Sequence, residues 1–463
     1  MRLGKIIKFG RSSIQEIKSN LERALKRKLQ TVPPSRLKEK SIQRVTIAVD
    51  DMDPLDWLDA QEWHSKIFWS RRDVAQKIAA CGAVHHIIAD SLDVLQSIRG
   101  YFTGSDAAIR YYGGMRFDPN HKIDVEWRPF AKFRFVLPRF ELISSEESQT
   151  LSLNFLISPE EELPLLFAEL VKEIEKLQPP KPHNTDLPMI LDRFDQPDRK
   201  KWSDMIEESL NAINREEFEK IVLAGKTVLS FKDEINPYQL FRHILKKNGR
   251  TFHFAFQFEH GVSFIGMSPE CLFQRDGDHM CTEAIAATRP RGSTLDEDER
   301  LGQEMIESDK DLREHRWVKK MIVDRLTPFC THIDETCDEK LLKLSHVQHL
   351  VSEFKADVYA GVRNEDLLEA LHPTPAVGGY PKKAAVQRIS QLEPFDRGWY
   401  AAPVGWVARD SAEFAVAIRS ALINKEKLHI FAGSGIVSGS LAEKEWEEKS
   451  NKAQNFLQLF NIT

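Results

Sequence analysis

The residues with the clearest capacity for chemistry lie in the C-terminal half of this 463-residue chain, beside residues that restrict their direction. Lys220 stands at the start of the apolar run 221–224, and Glu270 follows Pro269 at the end of another apolar run. Amine and carboxyl side chains are groups that proteins use for proton transfer. Taken singly, the lysine is more typical of a solvated strand edge, and the glutamate is equally well explained as a turn residue.

Two charged segments have helical spacing. The first contains Glu314 and belongs to a helix predicted over residues 302–327. The second contains Glu448 and Lys452, which stand four residues apart and therefore share one helix face. Such charge runs are most often solvated helix surfaces, so neither segment indicates a function by itself.

An anion-binding site is indicated by Arg419, which stands among apolar residues of a strand predicted over 414–422. A buried guanidinium group is costly unless it meets an anion. Gly433 and Gly435 flank Ser434 in the next apolar run, and without side chains they would let backbone N–H groups approach that anion closely. The Gly-Ser-Gly pattern alone is weak support, so the hypothesis depends mainly on the arginine.

Taken together, these segments resemble the chorismate-utilising enzymes, a family that includes isochorismate, salicylate, anthranilate and aminodeoxychorismate synthases. The resemblance covers about residues 200–460, with support from the segments 287–292, 347–350 and 372–376. It implies an anthranilate-synthase-like chorismate-binding fold, in which layered antiparallel-rich β-sheets have helices packed outside. An α+β (mixed α/β) architecture is therefore expected.

The resemblance also implies a role for each charged residue. Lys220 is the expected general base and Glu270 the expected general acid. Glu314 and Glu448 are the expected ligands of Mg²⁺, the implied cofactor. The residues expected to bind chorismate, the implied substrate, are Arg419, Gly433, Gly435, Lys452, Thr288, His372, Tyr400 and Ala376.

Two positions favour the water-using branch of the family, an isomerase activity that converts chorismate to isochorismate. Lys220 stands where the ammonia-using members typically have glutamine, so no glutaminase partner is expected. Ala286 stands where aminodeoxychorismate synthases tend to carry a nucleophilic lysine. The apolar pair Ala376-Val377 weakly favours release of isochorismate over the further pyruvate elimination of a salicylate synthase.

Three alternatives stay open: a salicylate synthase, a siderophore-pathway isochorismate synthase, and a regulatory homologue that binds chorismate without turnover. The long N-terminal half favours a role in menaquinone biosynthesis, because siderophore-pathway members tend to be shorter. Three positions depart from the family pattern: Ala287 stands in place of a glycine, Gly225 stands in place of an arginine, and Glu447 adds a negative charge beside Glu448. The sequence leaves their effect open.

The composition of the whole chain is typical of a soluble globular protein. Hydrophobic residues make up 41% of the chain, an ordinary share for such a protein. The net charge of -5 gives no reason to expect a nucleic-acid partner. The five cysteines include no CxxC pair, which disfavours a zinc or redox site and fits a reducing cytoplasm. No apolar run reaches the roughly 20 residues of a transmembrane helix, so we expect a cytoplasmic protein without stable membrane insertion.

Composition divides the chain into three parts. Residues 1–44 hold thirteen Lys/Arg against three Glu, with apolar residues at helical spacing. This basic N-terminal helical segment is better explained as a solvated amphipathic helix than as a membrane or nucleic-acid contact. Residues 45–200 are the predicted N-terminal part of the α/β fold and end in a Pro- and Asp-rich connector over 178–200. Residues 201–463 are the predicted chorismate-binding catalytic region.

Overall fold

The computed structural model describes residues 13–31, 39–72, 75–93, 95, 109–182, 184, 186–247, 251–343 and 347–461, without the side chains of residues 287, 288, 310 and 314. The helices in these residues are α1 (Ile14–Thr31), α2 (Pro54–Ala60), α3 (Leu163–Glu175), α4 (Arg199–Asn214), α5 (Pro237–Lys247), α6 (Leu295–Ile306), α7 (Asp309–Leu326), α8 (Asn364–Leu371), α9 (Lys382–Leu392) and α10 (Ala442–Leu457). The strands are β1 (Ser41–Ala48), β2 (Lys66–Ser70), β3 (Lys77–Cys81), β4 (His85–Ala89), β5 (Tyr111–Met115), β6 (Phe133–Leu137), β7 (Phe140–Ser144), β8 (Gln149–Ile157), β9 (Ile190–Gln196), β10 (Lys220–Phe231), β11 (Phe252–Glu259), β12 (Val262–Ser268), β13 (Cys271–Asp276), β14 (His279–Pro290), β15 (Cys330–Lys343), β16 (Val347–Val358), β17 (Gly379–Tyr380), β18 (Pro403–Val407), β19 (Ser411–Val416), β20 (Ser420–Asn424) and β21 (Lys427–Ile436).

Within the described residues these strands form two sheets. The order in the larger sheet is β1-β8-β7-β3-β2-β11-β12-β20-β21-β10-β17, with β9 also beside β10. The order in the smaller sheet is β15-β16-β14-β13-β19-β18-β5-β6-β4. The paired strands are antiparallel throughout. Antiparallel sheets combined with helices confirm the predicted α+β architecture.

The larger sheet is covered on both faces. Successive residues of a strand point to opposite faces, and in β11 Phe254 and Phe256 enter a core shared with the smaller sheet. Ala255, between them, enters a second core under α1, α3, α5 and α10. The first core is rich in edge-to-face aromatic contacts, such as Trp127 on Phe264. Burial of each large apolar side chain contributes roughly 1.5–3 kcal/mol, so this sandwich holds the layers together.

The N-terminal strands belong to the same sheets as the C-terminal ones. In the larger sheet β2 pairs with β11, and in the smaller sheet β5 pairs with β18. Residues 45–200 and 201–463 therefore share both sheets and the aromatic core. The shared sheets bring N-terminal residues close to the C-terminal segments that the sequence analysis singled out.

The basic N-terminal segment contributes α1, whose apolar stripe is buried inside the protein. Ile17, Leu21 and Leu25 belong to the core that also contains residues of α3, and the Lys18 ammonium donates a hydrogen bond to the carbonyl of Glu175. This packing supports the explanation of α1 as an amphipathic helix at the edge of the fold. Among the helices that the structure describes, none is long and apolar enough to cross a membrane.

Two local predictions differ from the structure. The helix predicted over 302–327 is broken into α6 and α7, because the Ser308 hydroxyl accepts a hydrogen bond from the backbone N–H of Asp311 at 3.3 Å and starts a new helix. The connector predicted over 178–200 contains β9, which pairs with β10.

Candidate active site

The chain passes from one sheet to the other at two neighbouring places. Glu270 lies where β12 of the larger sheet gives way to β13 of the smaller one. The strand predicted over 414–422 is interrupted at the second crossing, where Arg419 has a φ of 51° between β19 and β20. The N–H of Val416 donates to the carbonyl of Glu270, and the N–H of Met267 donates to that of Arg419, both at 3.1 Å. These bonds fix the two functional residues side by side.

A cavity of about 100 Å³ lies at the crossings, and strands of both sheets contribute to its wall. The sequence-predicted residues that line it are Glu270, Ala376, Tyr400, Arg419, Gly433 and Lys452. His349 of β16 also lines it, although sequence reasoning gave it no role. The available signal was its place in the segment 347–350, which supports the family resemblance. The remaining wall is formed by Val222, Pro269, Ile285, Val377, Ala401, Ile418, Phe431 and Ala432.

Glu270 is buried in a way that favours its protonated form. Loss of solvation and, to a smaller extent, the nearby carboxylate of Glu283 raise its pKa to about 8 from an ordinary value of 4.5. The Thr374 hydroxyl, which donates to Oε1 at 3.4 Å, and the charge of Lys220 act in the opposite direction. A carboxyl group with such a pKa can donate a proton near neutral pH.

Lys220 is the first residue of β10 and lines a second cavity, of about 280 Å³. Pro375 borders this cavity and Ala376 borders the first, so the two cavities are neighbours along one loop. Gly435 keeps the space beside the lysine open, because a Cβ atom there would lie 3.2 Å from Lys220 Cε. The side chains of Lys220 and Glu270 thus reach the site from adjacent cavities.

Arg419 and Lys452 bring positive charge to the first cavity. Burial lowers the pKa of the Arg419 guanidinium group, while Tyr400 and Glu448 act in the raising direction. Within the described side chains no hydrogen-bond acceptor meets this guanidinium, which leaves it available to an anionic ligand. Burial raises the pKa of Tyr400 to about 12, so its hydroxyl stays protonated, and its ring stacks on Phe431 with the centroids 5.3 Å apart.

The inner face of α10 closes the site. The Lys452 ammonium donates to Glu448 Oε1 at 2.6 Å and to the carbonyl of Gly433 at 3.0 Å, which ties this helix to β21. Gly433 itself is tightly enclosed, because a Cβ atom there would lie 2.9 Å from the carbonyl oxygen of Leu223. On the helix face that the sequence predicted for Glu448 and Lys452, Lys452 lines the cavity and Glu448 pairs with it.

One of the predicted residues, His372, stands apart from this arrangement, and two others have side chains that the structure does not describe. His372 does not line either cavity; its Nε2 lies 3.1 Å from the carbonyl oxygen of Phe117, and burial lowers its pKa to about 3. The structure thus gives this histidine a supporting place behind the wall. Thr288 belongs to β14 and Glu314 to α7, but both side chains lie outside the described part of the structure.

A family comparison agrees with this geometry. Residues 25–461 match the family described as "Chorismate binding enzyme". The chain is 33% identical to the "Isochorismate synthase MenF" of Bacillus subtilis, over 74% of this chain and 72% of that protein. It is also 33% identical to the "Salicylate biosynthesis isochorismate synthase" of Pseudomonas aeruginosa, over the same shares of the two chains.

A solved structure supports the same assignment. The menaquinone-specific isochorismate synthase MenF of Escherichia coli superposes with a TM-score of 0.84 at 29% identity, over 95% of this chain and 100% of that chain. The match extends through residues 45–200, where sequence reasoning found no placeable segment. The chain belongs to the chorismate-binding enzymes and, within that family, to the isochorismate synthases.

Proposed function

We propose that this protein converts chorismate to isochorismate by adding water at ring carbon 2 while the hydroxyl group at carbon 4 leaves. One water molecule enters and one leaves, so the reaction is an isomerisation. The observation that carries the proposal is the placement of Lys220 and Glu270 in adjacent cavities, with Glu270 held in its protonated form. A ring bound between them would present carbon 2 to the base and carbon 4 to the acid.

The two residues divide the proton transfers. Water is a weak nucleophile, so Lys220, in its neutral form, accepts a proton from the attacking water. Hydroxide is a poor leaving group, so Glu270 donates its proton to the departing oxygen and a neutral water leaves. The surrounding wall of Val222, Ile285 and Phe431 limits the access of bulk water, which strengthens the electrostatic effect of both groups.

The cations of the site suit the two carboxylates of chorismate. Arg419 would bind the enolpyruvyl carboxylate, with backbone N–H groups of Gly433 and Gly435 alongside. Lys452 would add positive charge, and Tyr400, Ala376 and Thr288 would line the pocket. Arginine is suited to this task because its guanidinium group can donate two parallel hydrogen bonds to one carboxylate.

Mg²⁺ is the proposed cofactor, with Glu314 and Glu448 as its protein ligands. The chemistry of the donor set fits, since Mg²⁺ prefers carboxylate and water oxygens and usually takes only one or two protein carboxylates. The Glu448 side chain is half-exposed and paired with Lys452, which lines the first cavity; among the described side chains no group of three or more His, Cys, Asp and Glu could hold a metal ion. The ion would neutralise the ring carboxylate of the substrate.

The proposed pathway is menaquinone biosynthesis in the cytoplasm, without a glutaminase subunit. Similarity to MenF-type enzymes supports this role, and the equal identity to the salicylate-biosynthesis relative makes a siderophore or salicylate route the alternative. Ala376 and Val377 place only apolar side chains at the cavity wall, which favours retention of the enolpyruvyl group over its elimination as pyruvate. The charged set of Lys220, Glu270 and Arg419 argues against a regulatory homologue without turnover.

Product analysis tests the proposal directly. The purified protein is incubated with chorismate and Mg²⁺, and the products are separated by liquid chromatography. Isochorismate as the main product is the expected result. Salicylate with stoichiometric pyruvate would establish a salicylate synthase, and binding of chorismate without any product would establish a regulatory homologue.

A further inference from the structure

The backbone on either side of Glu270 is held by two side chains that lie outside the segments named in the sequence analysis. Arg72, just after β2, donates to the carbonyl oxygen of Pro269 at 2.6 Å. Glu283 of β14 accepts a hydrogen bond from the N–H of Cys271 at 2.6 Å. One side chain therefore fixes the peptide group before Glu270 and the other fixes the peptide group after it.

Arg72 and Glu283 also bind each other. The two guanidinium nitrogens donate to the two carboxylate oxygens at 2.9 and 2.8 Å, a bidentate pair. The side chains are only 11% and 4% exposed, so each charge depends on the other for compensation. Removal of a single partner would leave an uncompensated buried charge. A variant that tests the pair should therefore replace both residues together.

We propose that Arg72 and Glu283 form a clamp that positions Glu270 and holds it in its acid form, so that the N-terminal part of the chain is a working part of the active site. The proposal rests on the proposed function of Glu270 as the general acid. Arg72 and Glu283 are positioning residues, since they reach the reaction only through Glu270. Orientation matters because a displacement of about 1 Å in a catalytic group can cost roughly 100-fold in rate.

The clamp has an electrostatic effect as well as a geometric one. The carboxylate of Glu283 disfavours ionisation of Glu270 and so raises the pKa of Glu270, in addition to the effect of burial. The titratable and charged groups around Glu270 are Glu283 on β14, Lys220 on β10 and, around the cavity, His349, Tyr400, Arg419, Glu448 and Lys452. Of these groups, the Glu283 carboxylate acts to keep the proton on Glu270.

The test compares a clamp variant with a matched control in the full-length protein. The double variant Arg72→Met/Glu283→Gln removes both charges together, so no buried charge is left unpaired. The control is Arg44→Met/Glu141→Gln, which removes another buried Arg–Glu pair, with side chains 4% and 0% exposed, between residues that line neither cavity. Each variant is assayed for kcat, KM for chorismate and the pH dependence of kcat/KM.

The clamp variant should lower kcat about 10- to 100-fold, with KM changed less than about twofold. The alkaline limb of its kcat/KM pH profile should move to lower pH, because loss of the Glu283 charge lowers the pKa of Glu270. Arg72→Lys, which keeps the positive charge but not the bidentate fork, should lower kcat and leave the alkaline limb in place. The control should leave kcat and the limb unchanged.

Direct titration separates this proposal from the function of Glu270. In protein labelled with ¹³C-glutamate, the carboxyl resonance of Glu270 is assigned by its loss in Glu270→Gln and followed with pH. The clamp would be overturned if the clamp variant kept the titration curve of Glu270 and the kcat of the wild type. It would also be overturned if the control variant changed both quantities as much as the clamp variant does. Full activity of Glu270→Gln would overturn the general-acid assignment, while the titration would still report whether the clamp controls this carboxyl group.

Discussion

Glu270→Gln should stabilise the protein while it destroys the activity. The native carboxyl group has a pKa of about 8, against an ordinary value of 4.5. Each pH unit between two such pKa values is worth about 1.4 kcal/mol. At pH 7 the folded protein therefore retains this proton at a cost of about 3 kcal/mol relative to the unfolded chain. Glutamine has the shape of the protonated acid and removes that cost.

The sign of the pH dependence follows from proton binding. Between pH 4.5 and about 8 the unfolded chain has lost the proton that the folded protein keeps, so raising the pH in this window lowers the stability of the wild type. The stabilisation by Glu270→Gln should thus be near zero at pH 4.5 and grow to about 3 kcal/mol at pH 7. General acid catalysis contributes about 10²–10⁴-fold, so kcat should fall by that factor in the same variant.

Urea denaturation at a series of pH values measures the difference. Glu207→Gln, on the exposed face of α4, is the matched control and should follow the wild-type curve at every pH. Parallel curves for the wild type and Glu270→Gln would refute the reasoning, because they would mean that the carboxyl group is ionised in the native protein at neutral pH.

Three further predictions concern the chemistry. Lys220→Ala should reduce turnover by about 10²–10⁴-fold with the circular dichroism spectrum retained; near-normal turnover would remove Lys220 from the mechanism. Glu448→Ala and Glu314→Ala should each abolish Mg²⁺-dependent turnover, and excess EDTA should silence the wild type; full activity in EDTA would contradict the metal assignment. Chorismate with ammonium salts should still give isochorismate without pyruvate, as followed by chromatography and by a lactate dehydrogenase assay; steady pyruvate release would show that Ala376 and Val377 do not prevent elimination.

Local patterns predicted the elements that depend on neighbouring residues. The turn at Pro269 and Glu270 and the shared helix face of Glu448 and Lys452 are both present in the structure. Each depends on φ restriction or on a fixed side-chain period. The family resemblance added roles for these residues, which the sequence pattern alone left open.

The crossings between the sheets could not be predicted in the same way. Arg419 was placed inside a continuous strand because its neighbours are apolar on both sides, yet its φ of 51° marks the change from one sheet to the other. Each strand joins one sheet or the other through pairing with strands that are distant in sequence. His349 was likewise missed because its direction depends on the register of β16 against β14.

The sequence by itself determined the candidate residues, because a lysine, a proline-restricted glutamate, an arginine and paired charges on a helix are local features; their proposed roles come from the family resemblance. Only the tertiary structure decided what surrounds them. Burial between two sheets raises the pKa of Glu270, and strands from both halves of the chain bring Arg72 and Glu283 to its backbone. Desolvation and long-range charge depend on contacts between residues far apart in sequence, and no spacing along the chain encodes them.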